Sequence, residues 1–128
     1  MSSTRRSPLL GVLALVAVAL QLAALYWPRV TIEGPTTWTD KLVHPAIFAL
    51  PLVLVSLWWG RWRPVLLVLL VHAPVSELVQ HYVLPHRDGD VLDALTDVAG
   101  LVVGLLVLAL VARVRRSRGR TRAAALVD

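Results

Sequence analysis

The stretch PVLLVLLVHAPVSELVQHYVL, Pro64 to Leu84, reads as a membrane-spanning helix, yet it carries Glu77, Gln80 and His81 near its end. A hydrocarbon core of ~30 Å takes roughly 20 helical residues at 1.5 Å each, and this run supplies them. Three more runs do the same: Pro8 to Trp27, Thr39 to Trp59, and Val91 to Ala112. All are solidly Leu, Val and Ala rather than alternating, and an open sheet edge cannot be satisfied in lipid, so strands are excluded. With 57% apolar content in 128 residues, the expectation is a multi-pass protein of the cell membrane. Its fold class is all-α, a four-transmembrane-helix bundle in a single domain over residues 1–128.

Charge sets the expected orientation. Ten of the 13 basic residues, Arg5, Arg6, Arg61, Arg63, Arg113, Arg115, Arg116, Arg118, Arg120 and Arg122, share one side of the four-span arrangement. Only Arg29, Lys41 and Arg87 lie on the other, so the N-terminus and C-terminus are placed in the cytoplasm by the positive-inside rule. The acids do the reverse: Glu33, Asp40, Glu77, Asp88, Asp90, Asp93 and Asp97 fall in the outer half, leaving Asp128 inside. Residues 113–128 form a basic tail directly after a span, where arginines meet anionic head groups, so nucleic acid is not expected as a partner. The chain has no cysteine, which excludes disulfides and thiolate metal sites. The N-terminus has the basic start and apolar run of a signal peptide, but the run ends in the interfacial pair Tyr26 and Trp27, and it is read as an uncleaved first helix.

Helix one carries Gln21 as its single polar residue and is read as lipid-facing scaffold. Helix two is placed from Thr39 as N-cap, with Asp40 in the first turn and bends expected at Pro45 and Pro51. Gly60 is expected to make the short turn to helix three, and Asp88 with Gly89 the turn to helix four. On helix four, Asp93, Asp97, Gly100 and Gly104 follow i, i+4, i+7, i+11 and share a face. The glycine pair invites close approach of another helix.

The polar residues converge. Glu77 lies 13 positions beyond Pro64, about 20 Å along the helix, and a lone carboxylate at that depth costs several kcal/mol unless paired, protonated or hydrated. Gln80 and His81 follow at i+3 and i+4, forming one expected polar patch on helix three. Helix two brings Asp40, Lys41 and His44 to the same level, helix four brings Asp93 and Asp97, and the hairpin adds Arg87. Lys41 is the only lysine, which suits a compact charge whose pKa can shift. His72, nearer the midplane, is read as a hydrogen-bonded packing residue. His44, Glu77 and His81 could offer two imidazoles and a carboxylate to a metal, but Glu-x-x-x-His is a weak signal and no HExxH occurs. Neither a metal nor a cofactor is therefore expected.

In this order, DKLVHPAIFALPL, SELVQ and HRDGDVLDALTDVAGLVVG resemble the VanZ-like family of small bacterial integral membrane proteins, over about residues 40–104. The marks are Asp40, Lys41, His44, Phe48, Glu77, Gln80, Arg87, Asp93, Gly100 and Gly104. Asp97 departs from the pattern, since the family usually has asparagine there, and an ionised carboxylate only accepts hydrogen bonds. The resemblance implies a four-span protein without a settled biochemical activity, whose founding member is associated with low-level teicoplanin resistance.

The leading functional expectation is an outward-facing polar pocket for the head group of an envelope lipid, lipopeptide or envelope precursor. Its expected ligand-binding residues are Asp40, Lys41, His44, Glu77, Gln80, Arg87, Asp93 and Asp97, with Lys41 and Arg87 facing phosphate or carboxylate. One rival is a membrane-embedded enzyme with Glu77 or His44 as general base. The other is a structural ion-pair network with no ligand.

Overall fold

The computed structural model describes residues 7–27, 38–84 and 91–124; the side chains of 38–41 and 122–124 lie outside that description. Four helices follow one another: α1 (Pro8–Tyr26), α2 (Trp38–Trp59), α3 (Trp62–Tyr82) and α4 (Val91–Ala124). Each contains a segment long and apolar enough to cross a membrane. All-helical architecture is what the composition predicted, with boundaries shifted by a few residues.

Local chemistry explains the ends. Ser7 caps α1, its Oγ accepting from the Leu10 amide at 3.4 Å, and Pro8 occupies the first turn, where its missing N–H is not needed. Between α2 and α3 the chain reverses at Gly60, whose φ of +77° is a left-handed conformation that a Cβ would penalise. Its amide donates to the Ser56 carbonyl at 2.8 Å, closing the last turn of α2. Trp58, Trp59 and Trp62 cluster exposed around this turn, and the Arg63 guanidinium lies 5.5 Å from the Trp62 ring. α2 begins at Trp38, so Thr39 is inside the helix rather than its cap, and α2 runs unbroken through Pro45 and Pro51, as α3 does through Pro74. The expected turn at Asp88–Gly89 lies outside the described residues.

α4 corrects the expected end at Ala112. It continues as helix to Ala124, 34 residues or about 51 Å, well beyond a ~30 Å hydrocarbon core. Its last turns carry the exposed arginines of the basic segment, so that segment begins as a helical extension of the span.

The interior is built from one stripe on each helix. On α2 the buried stripe is His44, Phe48, Leu52 and Ser56, and on α3 it is Val65, Leu69, Ala73, Ser76, Glu77 and Gln80. On α4, Asp97, Gly100, Leu101 and Gly104 are buried together. Near the Gly60 turn and through the middle these stripes are apolar apart from Ser56, and Phe48, Leu52, Val65, Leu69, Ala73, Leu101 and Leu25 of α1 form the core. At the opposite end the same stripes turn polar. Outward faces are Leu and Val, with Leu15 69% and Val68 67% exposed, as lipid contact requires and water would not tolerate.

α1 is more than scaffold, contrary to expectation. Ala14, Ala17, Gln21 and Leu25, at i, i+3, i+7 and i+11, are buried against the bundle. Small residues let the backbone come close. Tyr26 then reaches across to α3, its hydroxyl 2.8 Å from His72 Nε2, which makes His72 the hydrogen-bonded packing residue expected of it.

The tightest seam joins α2 to α4. A Cβ placed on Gly100 would collide with the Pro45 carbonyl oxygen and stand 2.6 Å from the Pro45 Cα. At Gly104 it would stand 2.9 Å from Leu52 Cδ2. The small-residue pair read from sequence thus meets α2, and it brings Asp97 beside His44.

Candidate functional site

His44, one residue before Pro45, and Asp97, one turn before Gly100, are held in register by that seam. His44 Nδ1 lies 2.9 Å from Asp97 Oδ1, a buried contact in which an Nδ1–H donates to the carboxylate. His44 Nε2 faces Asp93 Oδ2 at 3.9 Å, one turn nearer the start of α4. The imidazole is therefore bracketed by two carboxylates of the same helix face. Glu77 comes from α3, and one ligand-type atom each from His44, Glu77 and Asp97 lies within 4.8 Å of the others. All three residues are buried, and Asp97 is 0% exposed. Asp97 Oδ2 has no hydrogen-bond partner among the described residues, and neither does Gln80 Nε2.

Three helices thus deliver an imidazole and carboxylates to one buried point. No protein-family model, curated protein or solved structure matches the chain. The chemistry of the site consequently has to be argued from its own residues.

Of the eight residues expected to form the pocket, His44, Glu77 and Asp97 are brought together, with Asp93 beside them. Gln80 is buried on the Glu77 face of α3. Asp40 and Lys41 sit in the first turn of α2, but their side chains, like all of Arg87, lie outside the described residues. His81 is corrected: it is exposed and packs edge-on against Tyr82 at 4.6 Å between ring centres, so Asp97, not His81, completes the triad with His44 and Glu77.

The site also has a buried neighbour that sequence reasoning did not single out. Ser76, fully buried beside Glu77, donates to the Ala73 carbonyl at 2.8 Å, which ties its hydroxyl to its own helix. Gln21, 2% exposed, lines a separate apolar cleft of about 440 Å³ between α1, α2 and α3, whose walls include none of His44, Glu77 and Asp97. That cleft runs from His72, five residues before Glu77 on α3, towards Trp59 and Pro64.

Proposed function

We propose that this chain is a multi-pass protein of the bacterial cell membrane, of the VanZ-like kind. Both termini are cytoplasmic, and an outward-facing polar pocket binds the head group of an envelope lipid or lipopeptide. The observation that carries this reading is the meeting of His44, Glu77 and Asp97 from three helices at the end of the bundle opposite Gly60. Ionisable groups buried at membrane depth are expensive and are kept where they contact a partner or a ligand. The apolar cleft lower on α3 supports a lipid as ligand, because a groove open within a bilayer fills with acyl chain. Lys41 and Arg87 are the cations nearest in sequence to this end, suited to phosphate or carboxylate.

The test is lipid co-purification. Wild-type chain extracted in polymer nanodiscs should be enriched in one envelope lipid over the surrounding membrane, measured by mass spectrometry. Lys41→Ala, Glu77→Gln and Arg87→Ala should each lower that enrichment several-fold. Unchanged enrichment in all three, with unchanged growth under envelope stress including teicoplanin, would refute the proposal.

Orientation has its own check, made simple by the lack of cysteine. A single cysteine replacing the exposed Ser117 of α4 should be shielded from a membrane-impermeant maleimide in intact cells and labelled after permeabilisation. Labelling in intact cells would invert the pocket to the cytoplasmic side.

A second reading, a membrane-embedded enzyme, is favoured by the His44–Asp97 pair. A carboxylate on Nδ1 fixes the tautomer and ring plane that a general base needs. Turnover of a lipid-linked substrate that falls with His44→Ala would support it over simple binding.

A further inference from the structure

We infer that His44, Glu77 and Asp97 form a binding site for one divalent transition-metal ion of the zinc or manganese class. The donor set is one imidazole and two carboxylates, which suits such ions; soft thiolate-preferring ions are disfavoured by the chain's lack of cysteine. The donors come from α2, α3 and α4, so the ion would cross-link three spans.

Geometry supports the assignment first. An ion holding ligands at about 2.1 Å brings its donors to roughly 3–3.5 Å from one another. His44 Nδ1 and Asp97 Oδ1 already stand 2.9 Å apart, and the donor set as a whole lies within 4.8 Å. Any closure still required of Glu77 is bounded by that 4.8 Å spread and is within reach of a three-torsion side chain.

Unspent bonding capacity is the second observation. Asp97 is wholly buried, and its Oδ2 has no hydrogen-bond partner among the described residues although its Oδ1 faces His44. A dication would use that open carboxylate oxygen and take the place of the proton shared by His44 and Asp97.

Asp93 supplies the third. Metal-bound histidines commonly donate their other ring N–H to a carboxylate, which fixes the ring. With Nδ1 on the ion, His44 Nε2–H points to Asp93 Oδ2, 3.9 Å away. Asp93 is therefore assigned as a positioning residue and not a ligand.

The experiment uses full-length, tag-free protein in detergent, stripped with chelator and re-equilibrated with Zn²⁺ or Mn²⁺ alone. Elemental analysis should find about one ion per chain. Glu77→Gln and Asp97→Asn, which preserve shape, should weaken binding at least about tenfold, and Asp93→Asn about tenfold. His81→Ala should retain full stoichiometry. X-ray absorption on the wild type, which needs no variant, should show one imidazole with oxygen ligands. Helical protein that binds no stoichiometric metal would overturn the inference and leave the carboxylates to an ammonium or a hydrogen-bond donor. Binding lost in His81→Ala, or a spectrum with two imidazoles or none, would overturn it equally. Head-group binding is read by co-purified lipid, so either proposal can fail without the other.

Discussion

Gly100→Ala is expected to destabilise the bundle by about 3 kcal/mol, more than an added methyl at any other glycine among the described residues. The new Cβ meets the Pro45 carbonyl oxygen and stands 2.6 and 2.8 Å from the Pro45 Cα and carbonyl carbon. Those are backbone atoms of a residue whose ring already fixes φ, so neither side of the seam can yield without moving a helix, and overpacking of this kind costs 1–3 kcal/mol or more. Gly104→Ala is expected to be milder, because the closest atom there is the end of a flexible side chain, Leu52 Cδ2, at 2.9 Å. Gly119→Ala should be neutral or stabilising by up to about 1 kcal/mol, since nothing lies within 4 Å and alanine is the better helix former. Thermal unfolding in detergent, followed by helicity, should rank them in that order. The consequence extends to the site, because Pro45 follows His44 and Asp97 lies one turn from Gly100: pushing α4 off α2 separates the 2.9 Å His44–Asp97 contact. Wild-type stability in Gly100→Ala would mean that the α2–α4 seam is wrongly drawn.

The seam also shows where sequence stops being informative. Span number and helical class were legible because lipid removes every alternative, as the solid apolar runs require. The Gly100–Gly104 pair announced a close approach, but not its partner. Short turns make α3 the sequence neighbour of both α2 and α4, yet the most extensive contact joins α2 to α4 directly. Glu77 could be flagged from depth alone, whereas the pairing of His44 with Asp97 depends on the rotation of two helices, which no local pattern encodes.

His81 was misassigned for a reason visible in retrospect. At 100° per residue, Leu69, Ala73, Ser76 and Gln80 centre the buried stripe of α3 to one side of Glu77, and His81 lies about 40° further round on the other. Spacing of i+4 guarantees neighbourhood to Glu77, not burial. The packed face of α1 is faint for another reason: apart from the uncharged Gln21 the helix is apolar all round, and the small residues Ala14 and Ala17 of that face are matched by the exposed Ala19 and Ala23.

His44→Leu is expected to be the most damaging of the polar substitutions, at about 3–5 kcal/mol, because it leaves the Asp97 carboxylate buried at 0% exposure without its described partner. Asp97→Asn should cost far less, about 1 kcal/mol, since an amide oxygen still accepts from His44 Nδ1–H while only the charge is lost. The double variant His44→Leu with Asp97→Leu should recover most of the loss, as apolar replacements of buried ion pairs are commonly neutral or stabilising. Thermal unfolding of wild type, His44→Leu, Asp97→Leu alone and the double variant yields this coupling directly. The double variant then decides between structure and function. If the cluster served only to fix helix packing, the recovered bundle would keep its metal content, its co-purified lipid and its envelope phenotype. A stable double variant that loses them shows that His44 and Asp97 are retained for what they bind, since a leucine pair would hold α2 to α4 at least as well.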